Sequence, residues 1–489
     1  MRVMRVALVV RGRAEENQEV PMLQRTRLAE PAADRLFPGG DHIEAGGHLN
    51  AGGRLDAGGW PDSLPTEPRT VDETGLAEDT LRGLVLKYIL ASGSATPREI
   101  ADVLCLSPRV IDEVMAPLKH ERLVQISGSA SQGEQWFNYL LTASGRDQAV
   151  TAAERNGYVG PAPVSWAQYA ALLERQSVHA MRVPRPAVAR ALSGLVLSSP
   201  LIDTIGVAVN SSHSILFSGA PGNGKTSITR AMRDMLEGRV LVPYAVEVGH
   251  QTITIFDPRV HEPLTEDLPA YDRRYVACRR PIVTLGGELV LEDLELQWDE
   301  ANRCYNAPPP LKANGGILVV DDFGRQRVRP SELLNRWITP LEAGWDQLRM
   351  RTEGTIRVPF DVLVVFSSNR APAELGDEAF LRRIRYKIHV PDPTREEFVE
   401  LMHRASAAVG LVDDPDVTVA FMRREYEEAE REYRGCHPTD IIRILLDCAA
   451  YRGERARLSV EALAEAASIY FVARTSRPDH VLPWREAMS

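Results

Sequence analysis

Apolar residues recur along this chain with different periods, and the changes of period mark out its elements. From Leu81, the residues Leu84, Val85, Tyr88 and Ile89 return at helical spacing until Ser92-Gly93-Ser94 breaks the run. Thr96 followed by Pro97 supplies an N-cap and a first-turn proline for a second helix carrying Ile100, Val103 and Leu104. Ser107 and Pro108 repeat that signal for a third helix, with Val110, Val114 and Leu118 on one face. Leu123 to Ile126 and Trp136 to Leu141, separated by a polar stretch, predict the two arms of a β-hairpin. After a turn-rich joint at Tyr158 to Pro163, the stretch from Trp166 to Leu195 reads as helical. Three later runs, at 214–218, 316–320 and 362–366, are almost wholly apolar. Runs of that kind suit strands buried on both faces of a parallel sheet.

Ahead of Leu81 the periodicity fades. Residues 1–77 read as a flexible Gly-rich arm, in which Ala45 to Trp60 repeats AGGHLN, AGGRLD and AGGW, too few units to stack into a solenoid. Residues 78–150, three helices closed by a hairpin, resemble a winged helix-turn-helix, and 151–184 read as a linker with a helix. That resemblance leaves two partners open, duplex DNA or a protein. Over residues 80–150 seven basic side chains meet seven acidic ones, and the third helix carries Asp112, Glu113 and Pro117. Neutralising phosphates supplies most non-specific DNA affinity, so protein docking is favoured and DNA binding is the lesser reading. The chain as a whole leans the same way, with 57 basic and 67 acidic residues and a net charge of −10.

Only five of the basic residues are lysines, which singles out Lys225. The 214–218 run leads directly into Gly219-Ala220-Pro221-Gly222-Asn223-Gly224-Lys225-Thr226, then Ser227 and a helix with Ile228, Met232 and Met235. This is the GxxxxGK(S/T) phosphate-binding pattern in its strand–loop–helix context. Glycines let the backbone N–H groups of 219–227 turn inward around a phosphate, and the helix N-terminus adds a favourable dipole. Lys225 is placed to reach the β- and γ-phosphates, and Thr226 to offer its hydroxyl to Mg2+. The 316–320 run ends in Asp321-Asp322. Asp321 is placed to hold Mg2+ or its water shell, and Asp322 to orient or deprotonate an attacking water.

The third run ends in Ser367-Ser368-Asn369, and at this point the chain resembles the AAA+ ATPase superfamily. The resemblance implies a P-loop α/β subdomain over 185–392 and a helical lid over 393–480. It makes Asn369 the polar residue that hydrogen-bonds the γ-phosphate or the water. The segment Gly376 to Pro391 is similar to the second region of homology of the AAA clade proper, which implies arginine fingers at Arg382 and Arg385, with Arg383 a spare. Gly435 to Ile442 is similar to the clade's lid segment, with Thr439 where related clades carry a sensor-2 arginine and Arg443 as a candidate substitute. The implied activity is Mg2+-dependent ATP hydrolysis in a cytoplasmic ring, a hexamer by family resemblance, that remodels a protein client. The alternative is a nucleotide-switched transcription or DNA-handling regulator whose winged helix touches DNA. Most members of the family carry Glu where Asp322 stands.

Asp321 follows Lys225 by 96 positions, some tens more than such a core usually shows, and the excess predicts a β-hairpin insert at about 280–310 around Gly286-Gly287. Phe256, Tyr271, Tyr275 and Tyr305 are candidates for pore aromatics, with packing the simpler role. Arg423 to Arg434 mixes charges at helical spacing and reads as a solvated helix face. His261 beside Glu262 has no second ligand pair and reads as a loop histidine. Five scattered cysteines without a CxxC pair fit a reducing compartment. No apolar run reaches the ~18–20 residues of a membrane helix, and the first residues lack the apolar core of a signal peptide.

Overall fold

Burial accounts for the N-terminal helices α1 (Glu78–Ser92), α2 (Pro97–Leu104) and α3 (Pro108–His120), of which only α2 has a side-chain cap, the expected cap Ser107 of α3 making none. Thr96 accepts from the Glu99 N–H while Glu99 closes back on Thr96, a capping box that starts α2. Leu81, Ile89, Ile100, Leu104, Val110 and Leu118 meet in one core. The strands β1 (Val124–Ser127) and β2 (Asn138–Leu141) pair antiparallel, and α4 (Ala143–Arg155) packs on α1. The computed structural model describes residues 64–127, 137–236, 238–265, 270–351, 354–376, 381–412 and 414–471. The Gly-rich repeat at 45–60, the hairpin turn including Trp136, and the tail beyond 471 lie outside the described residues.

Two expected boundaries fall inside packed structure. The arm does not reach residue 77: Val71 and Leu76 are buried in the α1–α3 core, and Ser107 Oγ donates to the Pro68 carbonyl at 2.7 Å. The segment 151–184 is no free linker either. It contributes β3 (Val164–Ser165) to a sheet, and α5 (Trp166–Arg175) buries Tyr169, Leu172 and Leu173. The helical reading to Leu195 breaks after Arg175, and α-helix resumes only at α6 (Arg185–Leu192). Next come α7 (Ser199–Ser211), β4 (Ile215–Ser218) and α8 (Lys225–Met235), the strand and helix that flank the phosphate-binding pattern.

Between α8 and Asp321 the chain builds a second β layer. The strands β5 (Arg239–Pro243) and β8 (Tyr275–Arg279) pair antiparallel, while β6 (Ala245–Val248) and β7 (Gln251–Thr254) join β3. The hairpin expected around Gly286-Gly287 is not there, because β9 (Ile282–Leu285) is a parallel strand of the central sheet and 291–294 is a 3-10 turn. Leu289 and Leu294 bury against that sheet, which explains their alternation. A hairpin does form later, from β10 (Gln297–Asp299) and β11 (Cys304–Asn306), and it extends the second layer in the order β10-β11-β7-β6-β3.

The central sheet adds β12 (Gly316–Val320), then, beyond the antiparallel pair β13 (Trp345–Met350) and β14 (Gly354–Pro359), β15 (Val362–Ser368) and β16 (Tyr386–His389). Its order is β16-β4-β15-β12-β9 with every neighbour parallel. All residues of β4, β12 and β15 are buried, as their unbroken apolar runs require. The C-terminal helices α9 (Arg395–Ala408), α10 (Pro415–Met422), α11 (His437–Arg452) and α12 (Val460–Tyr470) pack around Phe398, Met402, Phe421, Tyr426 and Leu463. The expected solvated helix at 423–434 is a single π-turn, Arg423–Glu427, followed by irregular chain. Most of its charged side chains are exposed as expected, but Tyr426 within it is only 1% exposed and anchors an aromatic core.

Candidate functional site

Parallel order brings the carboxyl ends of β4, β12 and β15 to one rim, where ligands of open α/β sheets are held. The loop after β4 turns over the start of α8. Gly222 and Gly224 take φ of 85° and 83°, a left-handed backbone that side chains disfavour. A β-carbon on Gly222 would also stand 2.4 Å from the Cys436 sulfur, so the lid sits directly on the loop.

Lys225 is 6% exposed and donates to the Gly219 and Ala220 carbonyls, both at 2.9 Å, and to Asn369 Oδ1 at 2.6 Å. Burial pushes its ammonium below the ordinary lysine range, against the pull of Asp321 and Asp322. Asn369 Nδ2 donates in turn to Asp322 Oδ1 at 3.1 Å. The amide thus accepts from the ammonium and donates to the carboxylate, the one orientation that serves both partners. Thr226 Oγ1 donates to Asp321 Oδ2 at 3.3 Å. A hydroxyl and a carboxylate side by side are hard oxygen donors, the set that Mg2+ takes. The partly desolvated ammonium, fed by carbonyl dipoles beside a glycine cradle, fits an anion such as a phosphate.

A cavity of about 600 Å³ opens over these groups. Its polar lining comes from 221–227, Asp321, Asp322, Asn369 and Glu397, and its apolar lining includes Leu195, Leu197, Leu201, Pro391, Pro393 and Leu401. Gly435, Cys436, Thr439 and Asp440 line it from the C-terminal helical unit. Its size and mixed lining suit a ligand with both an apolar and a charged part. Lys225 is the one cation among the described lining residues. Arg382 and Arg385 are exposed on the segment before β16 and do not line it, and neither does Arg443.

His261 is a buried residue whose ring is fully engaged. Its Nδ1 accepts from the Asp257 N–H at 2.9 Å, its Nε2 meets the Lys312 carbonyl at 2.9 Å, and it stacks on Phe256. Among the described residues no cluster of three metal-ligating side chains occurs. Tyr275 and Tyr305 are buried, and Phe256 and Tyr271 pack against the core of the second layer.

Sequence reasoning passed over the contacts that tie the lid to the phosphate loop. Asn223 Nδ2 donates to Asp392 Oδ1 at 2.6 Å, Asp392 pairs with Arg434, and the Gly435 N–H donates to Asn223 Oδ1 at 3.3 Å. Asn223 and Gly435 are 212 positions apart, and no local pattern announces their meeting. His437, the next residue but one, is buried against Tyr426, with its Nδ1 3.1 Å from the phenol oxygen.

Residues 394–469, the helical lid, match a family described as a domain of unknown function, DUF8689. No curated protein matches the chain. Among solved structures it is similar to NtrX from Brucella abortus in complex with ADP, at 18% identity over 70% of each chain and a TM-score of 0.37. It is also similar to a RuvB mutant from Thermotoga maritima, at 12% identity over 60% of this chain and 72% of that one, with a TM-score of 0.33. Superpositions this loose carry no weight for the site, whose chemistry rests on its own atoms.

Proposed function

We propose that the chain binds Mg2+–ATP in this cavity and hydrolyses it, as a AAA+-type ATPase assembled in a cytoplasmic ring. The observation that carries the reading is the hydrogen-bonded run Lys225–Asn369–Asp322 beside the Thr226–Asp321 pair. Lys225 exchanges its carbonyl contacts for β- and γ-phosphate oxygens. Asp322, steadied by Asn369, orients the attacking water and accepts its proton. Thr226 and Asp321 would hold Mg2+, which when bound neutralises charge on the phosphates. Charge also develops on the transferred phosphoryl oxygens, and no arginine of the same chain lines the described cavity. We assign that role to Arg382 of a neighbouring subunit, with Arg385 beside it. The client is a protein, docked through the 78–150 unit, whose balanced charge disfavours DNA.

The test is ATP binding and steady-state hydrolysis by the full chain, compared with Lys225→Ala. Wild-type turnover should require Mg2+, and the variant should lose nucleotide binding or turnover. Wild-type levels of both in Lys225→Ala would sink the reading.

A further inference from the structure

We infer that Gln326 is a positioning residue for hydrolysis, bracing the turn that presents Asp322, an assignment that rests on the ATP-hydrolysis reading above. The Gln326 side chain reaches back over the turn it follows. Its Nε2 donates to the Asp321 carbonyl at 2.7 Å, and its Oε1 accepts from the Gly324 N–H at 2.8 Å. Those two backbone groups bracket Asp322 and Phe323. One amide therefore clasps the turn at two points, alongside the backbone bond from the Arg325 N–H to the Asp322 carbonyl at 2.9 Å.

The turn needs such a clamp because Asp322 has φ of 49°, in the left-handed region that a β-carbon disfavours. In that conformation its N–H donates to Asp321 Oδ1 at 3.0 Å and its carboxylate meets Asn369 Nδ2. Other contacts hold the chain on either side of the Asp321–Asp322 peptide. The Asp321 N–H donates to the Leu285 carbonyl at 2.9 Å, and the Phe323 N–H to the Ser367 carbonyl at 2.7 Å. Ser368 Oγ holds the Phe323 carbonyl at 2.7 Å, and Phe323 is buried against Phe366. The peptide after Asp322 is held at both groups, by the Ser367 carbonyl and by the Arg325 N–H. The peptide before it has its carbonyl held by Gln326 and its N–H by the Asp321 side chain, so Gln326 is the contact from outside that plane's own residues. Once the amide is removed, Asp322 relaxes toward the right-handed backbone and its carboxylate leaves Asn369. Asp321, just past β12 with its N–H on the Leu285 carbonyl, and Thr226 on α8 stay in place, so the loss falls on turnover and spares binding.

The experiment measures kcat, KM and equilibrium ATP affinity for the full chain, for Gln326→Ala and for Gln326→Met, which keeps the side-chain length without polar atoms. Both variants should lose about 10- to 100-fold in kcat, the scale of a misplaced catalytic group, with KM and affinity within about twofold. Asp322→Asn is then combined with Gln326→Ala. Because both changes act through one carboxylate, the pair should lose little more than Asp322→Asn alone. Additive losses, or near-wild-type kcat in a folded Gln326→Met protein, overturn the brace and leave the ATPase reading standing. A wild-type chain that neither binds nor hydrolyses ATP overturns both. Should Gln326→Ala fail to fold, Gln326→Met takes its place in the cycle.

Discussion

Asp321 and Asp322 are neighbours in sequence with different surroundings, and the proposed function divides the work between them accordingly. Asp321 faces the Thr226 hydroxyl, whereas Asp322 faces the Asn369 amide that also holds Lys225. Asp322→Asn keeps an oxygen to accept from Asn369 and loses only the capacity to take a proton. It should retain Mg2+-dependent ATP binding while turnover falls by roughly 10²-fold or more, the usual contribution of a positioned base. Asp321→Asn should instead weaken the metal-dependent part of binding, read as a rise in the Mg2+ concentration needed for half-maximal nucleotide affinity. Identical behaviour of the two variants would show the division to be wrong.

At the scale of elements, the lid is held by its aromatic core, and His437 makes that core sensitive to acid. Burial, with the charges of Arg434 and Arg431, lowers the imidazole from its ordinary 6.5 to about 4. The unfolded chain therefore takes up this proton first as pH falls, and protonation draws the equilibrium toward unfolding. The contribution is fully present above pH 6.5 and is lost between 6.5 and about 4, amounting to roughly 3 kcal/mol at most. Thermal unfolding of wild type and His437→Gln at pH 7.5, 5.5 and 4.5 isolates it from other titrating groups. Wild type should lose more of its midpoint temperature across that window than the variant does. Equal losses would remove His437 as the source.

At the scale of the whole molecule, the proposed ring makes the site a shared property of two chains. Arg382 is exposed and outside its own cavity, so its substitution should leave ATP binding intact and lower hydrolysis. An arginine acting on a transferred phosphoryl group is worth roughly 10³–10⁵ in rate in P-loop enzymes. Mixing Arg382→Ala with Lys225→Ala subunits places some intact phosphate loops beside intact arginines, and turnover should partly recover. If mixed assemblies form and recover nothing, while Arg382→Ala turns over ATP normally as a dilute monomer, the ring mechanism fails.

Much of the site was legible in the chain itself, because its parts are local. A buried strand, a glycine turn and a helix bearing Lys225 and Thr226 follow each other without interruption, and Asp321, Asp322 and Asn369 each cap an apolar run. Such runs are legible because burial on both faces leaves no polar alternation. What pattern could not supply was partnership across distance. Alternation at 289–294 reads as a hairpin because a leucine buried under a sheet and one buried in a hairpin leave the same trace, and the hairpin begins only at Gln297. The mixed charges of 423–434 mark an exposed segment, but nothing local shows that Tyr426 within it lies inside an aromatic core. Residue types, spacing and the ends of strands were determined by the sequence alone. Strand order decided which of those ends share a rim, and the fold of the lid decided that Arg434 and Gly435 meet Asn223. Both depend on which surfaces bury each other, a non-local choice that only the assembled core makes.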